Sequence, residues 1–243
     1  MKKILVISVL LNFCLFALFG YMIYKKGGAT YLKAKFSVVN KNSIKEKTGW
    51  YYKNYQHWKE TKSLYDILPN DSNEIVFVGN SITFGCEWSE LFSNPKIKNR
   101  GIGGDNTEGV LERLTEITES KPDKIFINIG TNDLGLDMRI QEIVKNYREI
   151  LDRIKQSTPK TKVYIESVLP TNNHPERNND SIRVLNKQLE KLANEKSAKY
   201  LNLFDSFLDK NGNLNMDVSL DGLHLTGQGY LIWKKLIEND VND

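Results

Sequence analysis

Cysteine is nearly absent from this chain of 243 residues: Cys14 sits in the first apolar run and Cys86 well inside the globular part. Two thiols so placed give no internal disulfide, and no zinc-ligand spacing exists. No thiolate-stabilising context surrounds Cys86, which reads as a small packing residue. A basic block is also missing. Lysine and arginine total 34 against 30 acidic residues, for a net charge of +4, and the lysines are spread along the chain, which describes a solvated surface and not a nucleic-acid footprint. Repeats and low-complexity tracts are absent too. What remains, with 10% aromatic and 26% charged residues, is a folding globular chain long enough for one well-buried domain plus an appendage.

The appendage is N-terminal. After Lys2 and Lys3, residues 4–24 carry no charged side chain, and Lys25 and Lys26 follow. That is about the ~20 residues needed to cross a hydrocarbon core as a helix. The bulky Phe19-Gly20-Tyr21-Met22 lacks the small-x-small pattern of signal-peptide cleavage. Residues 1–26 are therefore expected to be an uncleaved signal anchor, a single transmembrane helix with an extracytoplasmic enzyme behind it. Residues 27–72 form a juxtamembrane stretch rich in aromatics, Trp50-Tyr51-Tyr52 and Tyr55-Gln56-His57-Trp58. Tyr51, Tyr55 and Trp58 share one helical face, which is expected to pack on the following domain, with His57 a structural histidine.

From residue 73 to 243, short β-branched runs alternate with longer amphipathic stretches, the signature of a parallel sheet covered by helices. Strands are expected at 74–78, 97–100, 124–129, 162–168 and 199–203. Helical spacing joins Val110, Leu111, Leu114 and Ile117; then Ile143, Tyr147, Ile150, Leu151 and Ile154; then Leu185, Leu189 and Leu192. In such a sheet, ligands bind outside the carboxyl ends of the strands.

Four places there carry chemistry. Gly79-Asn80-Ser81 puts a serine between a strand and a helix start, where its hydroxyl can attack and nearby N–H groups can hold an oxyanion. Gly101-Ile102-Gly103-Gly104-Asp105-Asn106 lets the backbone approach a ligand closely, and Asn106 stands where a dinucleotide loop would need glycine. Asn132, after the third strand, offers a donor that does not titrate. Asp221 lies three residues before His224, so its carboxylate can fix the imidazole tautomer. Taken singly, each has an ordinary explanation: a helix-capping serine, an Asn-Asp turn, a surface histidine.

Together, serine, glycine, asparagine and Asp-x-x-His in this order resemble the SGNH hydrolase family, also called GDSL esterases, from about residue 74 onward. The resemblance implies a flavodoxin-like α/β/α sandwich with a five-stranded parallel sheet and neither metal nor organic cofactor. It implies that Ser81 is the nucleophile, His224 the general base and acid, and Asp221 its orienting partner. Ser81, Gly104 and Asn132 would form the oxyanion hole. One departure stands out: the family's Gly-Asp-Ser is here Gly79-Asn80-Ser81.

Connections are mostly short, and no apolar insertion is available to cover a long acyl chain. The polar stretch 170–178, with Asn172, Asn173, His174 and Asn178, should overhang the crevice and suits hydroxyl-rich ligands. The expected reaction is removal of a short acyl group, acetyl first, from a small-molecule or glycan ester, with Asn80, Trp88 and His174 as candidate substrate contacts. Gly79-Asn80-Ser81-Ile82-Thr83 followed by Trp88 and Leu91-Phe92 is similar to bacterial sialate O-acetylesterases. The alternatives are an acyltransferase using the same serine on a cell-envelope glycan, a lysophospholipase or broad carboxylesterase, and a non-catalytic glycan-binding protein.

Overall fold

The computed structural model describes Tyr21, residues 55–71 and residues 73–243. All but Tyr21 belong to the compact unit Ile44–Asp243. Apart from Tyr21, the expected transmembrane segment 1–26 lies outside the described residues, as does Tyr51. Among the described residues no helix is long and apolar enough to cross a membrane.

Five parallel strands, β1 (Ile75–Gly79), β2 (Ile97–Gly101), β3 (Lys124–Asn128), β4 (Lys162–Glu166) and β5 (Lys199–Leu201), form one sheet in the order β2-β1-β3-β4-β5. This is a flavodoxin-like order, in which the chain reverses its direction of travel between β1 and β3 and leaves a crevice beyond their carboxyl ends. β1 and β3 are buried at every position, as strands covered on both faces must be.

Side chains alternate between two cores. Val76, Val78, Ile125, Ile127 and Ile165 face one helical layer: α4 (Thr107–Glu112), α5 (Leu114–Thr118), α7 (Ile140–Ser157) and α8 (Asn179–Lys196). Phe77, Phe126 and Tyr164 face the other, which holds α2 (Ser81–Phe84), α3 (Trp88–Leu91) and α9 (Gly227–Asn242). Register sets those three rings side by side on adjacent strands, with centroids 4.9 and 4.4 Å apart, and Trp88 stacks on Phe77 at 4.5 Å. Offset stacking of this kind adds roughly 0.5–1.5 kcal/mol per pair beyond area burial.

Asparagines start three helices: Asn80, Asn106 and Asn178 accept N–H bonds from Ile82, Gly109 and Ser181, each cap being worth about 1 kcal/mol. The aromatic helix, α1 (Gln56–Tyr65), begins after Tyr55 and buries Trp58. The last short helix, α6 (Thr131–Gly135), follows β3 directly.

β4 and β5 end two residues short of expectation, where side chains take backbone bonds that a ladder would use. β4 stops at Glu166 because the Asn186 amide both donates to and accepts from Val168. β5 stops at Leu201 because the N–H groups of Leu203 and Phe204 donate to Ser167 Oγ. The helix through Val110 and Ile117 breaks at Arg113, whose side chain turns inward to buried carboxylates.

Candidate active site

The crevice is built where β1 and β3 end. Gly79 closes β1 with no room for a side chain: a Cβ there would lie 2.6 Å from the Asn128 carbonyl oxygen. Asn80 is in extended conformation and caps α2, so Ser81 is the first residue of that helix. Its Oγ lies 2.9 Å from His224 Nε2, and His224 Nδ1 lies 2.7 Å from Asp221 Oδ2.

Asp221 holds more than the ring. Its Oδ1 accepts the backbone N–H groups of Leu223 and His224 at 2.9 and 2.8 Å. Partial desolvation acts to raise its pKa, but the ring bond and those two N–H bonds outweigh it and keep the carboxyl well below the usual carboxylate range. The turn between the two residues needs glycine. Gly222 has φ +77°, and a Cβ on it would lie 2.1 Å from the Asn172 carbonyl oxygen.

Gly104, in the loop after β2, also has positive φ, +77°. Gly130, at φ +126°, turns the chain out of β3 so that Asn132 stands in α6. Asn132 Nδ2 donates to the Asp105 carbonyl at 2.9 Å; the amide carries a second N–H for a ligand. The loops after β2 and β3 are bolted together beneath the crevice. Thr107 donates its N–H and its hydroxyl to Asp133, whose carboxyl is pushed up to about 7 by burial against the opposing pull of those bonds. Asp105 and Arg113, both fully buried, pair at 2.9 Å, and Glu116 joins them through Arg113 Nη1.

The structure thus brings Ser81, His224 and Asp221 into one hydrogen-bonded line, with Gly104 and Asn132 on the neighbouring loops. Two of the expected substrate contacts do not reach the crevice surface. Asn80 is 0% exposed and its Oδ1 caps Ile82; an aspartate could make the same cap, and the asparagine makes it without charge. Trp88 is 1% exposed, is wedged against Phe77 and Trp233, and donates to the Thr83 carbonyl, so its place in the sequence near Ser81 reflects core packing. His174 is partly exposed and its Nε2 lies 3.1 Å from the Asp221 carbonyl oxygen, while Asn172 N–H donates to the Gly222 carbonyl. The 170–178 stretch therefore leans on the turn that carries Asp221 and His224.

Cys86 is buried, and desolvation pushes its thiol up to about 12, which leaves no thiolate to attack. Among the described residues no group of three or more His, Cys, Asp or Glu side chains is placed to hold a metal ion. The sequence reading missed Asp105, Arg113 and Trp58 as site-supporting residues. The available signal was a charged residue, Arg113, set within the apolar periodicity from Val110 to Ile117.

A serine at a strand-to-helix turn, relayed to histidine and aspartate on an α/β sandwich, defines an ester hydrolase. The chain belongs to the GDSL-like lipase/acylhydrolase family, whose model matches residues 77–232. It is similar to the human platelet-activating factor acetylhydrolase IB subunit alpha1, with 30% identity over 164 residues, 65% of this chain and 70% of that protein. A solved GDSL-like lipase from Bacteroides thetaiotaomicron is 27% identical, with a TM-score of 0.67 covering 78% of this chain and 98% of that one. A catalytic variant of an acetylxylan esterase from Geobacillus stearothermophilus shares the fold, at 16% identity and TM-score 0.59, covering 72% of this chain and 96% of that one.

Proposed function

We propose that this chain removes a short acyl group, acetyl first, from a carbohydrate or comparably polar ester through an acyl-Ser81 intermediate. The observation that carries this reading is the line from Ser81 Oγ to His224 Nε2 at 2.9 Å and from His224 Nδ1 to Asp221 at 2.7 Å. Ser81 Oγ attacks the ester carbonyl carbon while His224 Nε2 takes its proton, and ionised Asp221 stabilises the imidazolium that results. The carbonyl oxygen, now negative, meets the N–H groups of Ser81 and Gly104 and the free amide N–H of Asn132. His224 then protonates the departing alkoxide. Water, deprotonated by the same nitrogen, splits the acyl-serine and returns Ser81 to its starting state.

A short acyl group is favoured by the similarity to a protein named an acetylhydrolase. A polar alcohol portion is favoured by the amide-rich stretch 170–178, which leans through Asn172 and His174 on the turn that carries Asp221 and His224. Such a stretch offers amide donors and acceptors to hydroxyl groups. Acylated sialic acids and cell-envelope glycans have the required chemistry. With residues 1–26 as a signal anchor, the enzyme would face such glycans from the outer side of a membrane. Protease accessibility of the C-terminal domain in intact spheroplasts tests that placement, and full protection contradicts it.

The substrate test is a series of nitrophenyl esters from acetyl to long acyl, run beside acetylated sugars. The expected result is highest kcat/KM on acetyl esters, with release of acetate from the sugars. Preference for long acyl chains overturns the reading. Transfer of acetyl to an added sugar in place of water would reassign the enzyme as an acyltransferase.

A further inference from the structure

The family match begins at residue 77, yet the earlier helix α1 grips the loop after β2 at three alternate residues, Gly101, Gly103 and Asp105. Tyr65 Oη donates to the Gly101 carbonyl at 2.8 Å. The ring of His57 covers Gly103, where a Cβ would come within 3.2 Å of it. Trp58, only 4% exposed, donates its indole N–H to Asp105 Oδ1 at 2.8 Å.

Asp105 is where the grip matters. Its other carboxylate oxygen takes Arg113 Nε–H at 2.9 Å, and its Oδ1 also takes the Asn106 N–H at 3.1 Å. Its backbone N–H donates to Ile102, and its backbone carbonyl accepts the Asn132 amide. Asp105 thereby sets one candidate oxyanion donor directly, Asn132, through that hydrogen bond. With Arg113 pulling on one carboxylate oxygen and Trp58 on the other, the side chain cannot pivot, and the backbone attached to it is fixed.

We propose that Trp58 is a positioning residue for ester hydrolysis: its indole N–H holds Asp105 so that the Asn132 donor stays aimed at the oxyanion. This rests on the reading of Asn132 as an oxyanion donor given above. It makes α1 a working part of the hydrolase and not a spacer before it.

Trp58→Phe keeps an aromatic ring at the position and loses the N–H. Removing an oxyanion donor outright costs roughly 10²–10³ in kcat, so misaiming a donor that remains should cost about tenfold. KM on nitrophenyl acetate should change less than about twofold, because the loss falls on the transition state. Acting through Asn132, Trp58→Phe should cost less than about a further twofold in an Asn132→Ala background, whereas an independent structural effect would multiply. Lys59→Ala, on the exposed side of the same helix, should leave kcat unchanged. A wild-type enzyme without esterase activity removes the functional reading and this inference together. An active wild type with unchanged kcat in Trp58→Phe, or with fully multiplicative losses, overturns this inference alone. If Trp58→Phe does not fold, the wild-type full chain decides by NMR. The Trp58 indole N–H resonance should shift when a fluorophosphonate adds to Ser81, and an unmoved resonance overturns the proposal.

Discussion

Glu166 closes β4 with 1% of its surface exposed, and Trp233 Nε1 donates to its Oε1 at 2.8 Å. Desolvation pushes its carboxyl up to about 8 against the smaller, opposing effect of that bond. The sign follows from linkage: the folded carboxyl holds its proton where the unfolded one, near 4.5, has lost it, so folding becomes less favourable as pH rises between those two values. Each unit of separation is worth 1.36 kcal/mol, which makes the penalty about 1 kcal/mol at pH 5 and about 4 kcal/mol at pH 8. Glu166→Gln keeps an oxygen for the tryptophan N–H and removes the proton equilibrium. The wild type should therefore lose about 3 kcal/mol more than the variant between pH 5 and pH 8. For a chain of this size that is roughly 6–12 °C in Tm. Urea or thermal unfolding of both proteins at the two pH values measures it. Equal pH dependence in the two proteins would refute the reasoning, because it would mean that Glu166 does not change protonation on folding.

Two further outcomes follow from the turn that carries the acid and the base. Asp221→Asn should lower kcat on nitrophenyl acetate by about 10³–10⁴ by unsettling the His224 tautomer; because the Asp221 carboxyl is held below its ordinary range, it stays ionised down through the unfolded value near 4, and Asp221 should add no ionisation there to the wild-type kcat/KM profile. An ionisation near pH 4 that is lost in Asp221→Asn would contradict this. Gly222→Ala forces a Cβ to 2.1 Å from the Asn172 carbonyl at φ +77°, so it should displace His224 and lower kcat/KM at least about tenfold, as nitrophenyl acetate kinetics would show; activity equal to wild type would mean that the turn tolerates the shift.

Some of this structure is legible in the residues and some is not. β1 and the Ile125-Phe126-Ile127 centre of β3 announce themselves because strands buried on both faces are built of apolar runs, and α7 does so because Ile143, Tyr147, Ile150 and Ile154 keep helical spacing. Ser81, Gly104, Asn132, Asp221 and His224 are legible as a set because each follows a strand or precedes a helix. The ends of β4 and β5 are not, since they are decided by Asn186 and Ser167, which reach them from 18 and 36 residues away. Trp58 and Asp105 are 47 residues apart, beyond any local periodicity. Trp88 misleads for the opposite reason: closeness to Ser81 in sequence suggests the crevice, while α3 packs its ring onto Phe77 and Trp233 in the core.

The central claim is that Ser81 is activated by His224 and Asp221 to take an acyl group. Fluorophosphonate labelling of the full-length protein, followed by peptide mass analysis, tests it most directly. The wild type should be modified at Ser81 and nowhere else, Ser81→Ala should remain unmodified, and His224→Gln should label at least about a thousandfold more slowly. A wild type that does not react, or a label carried by another residue, would contradict the account.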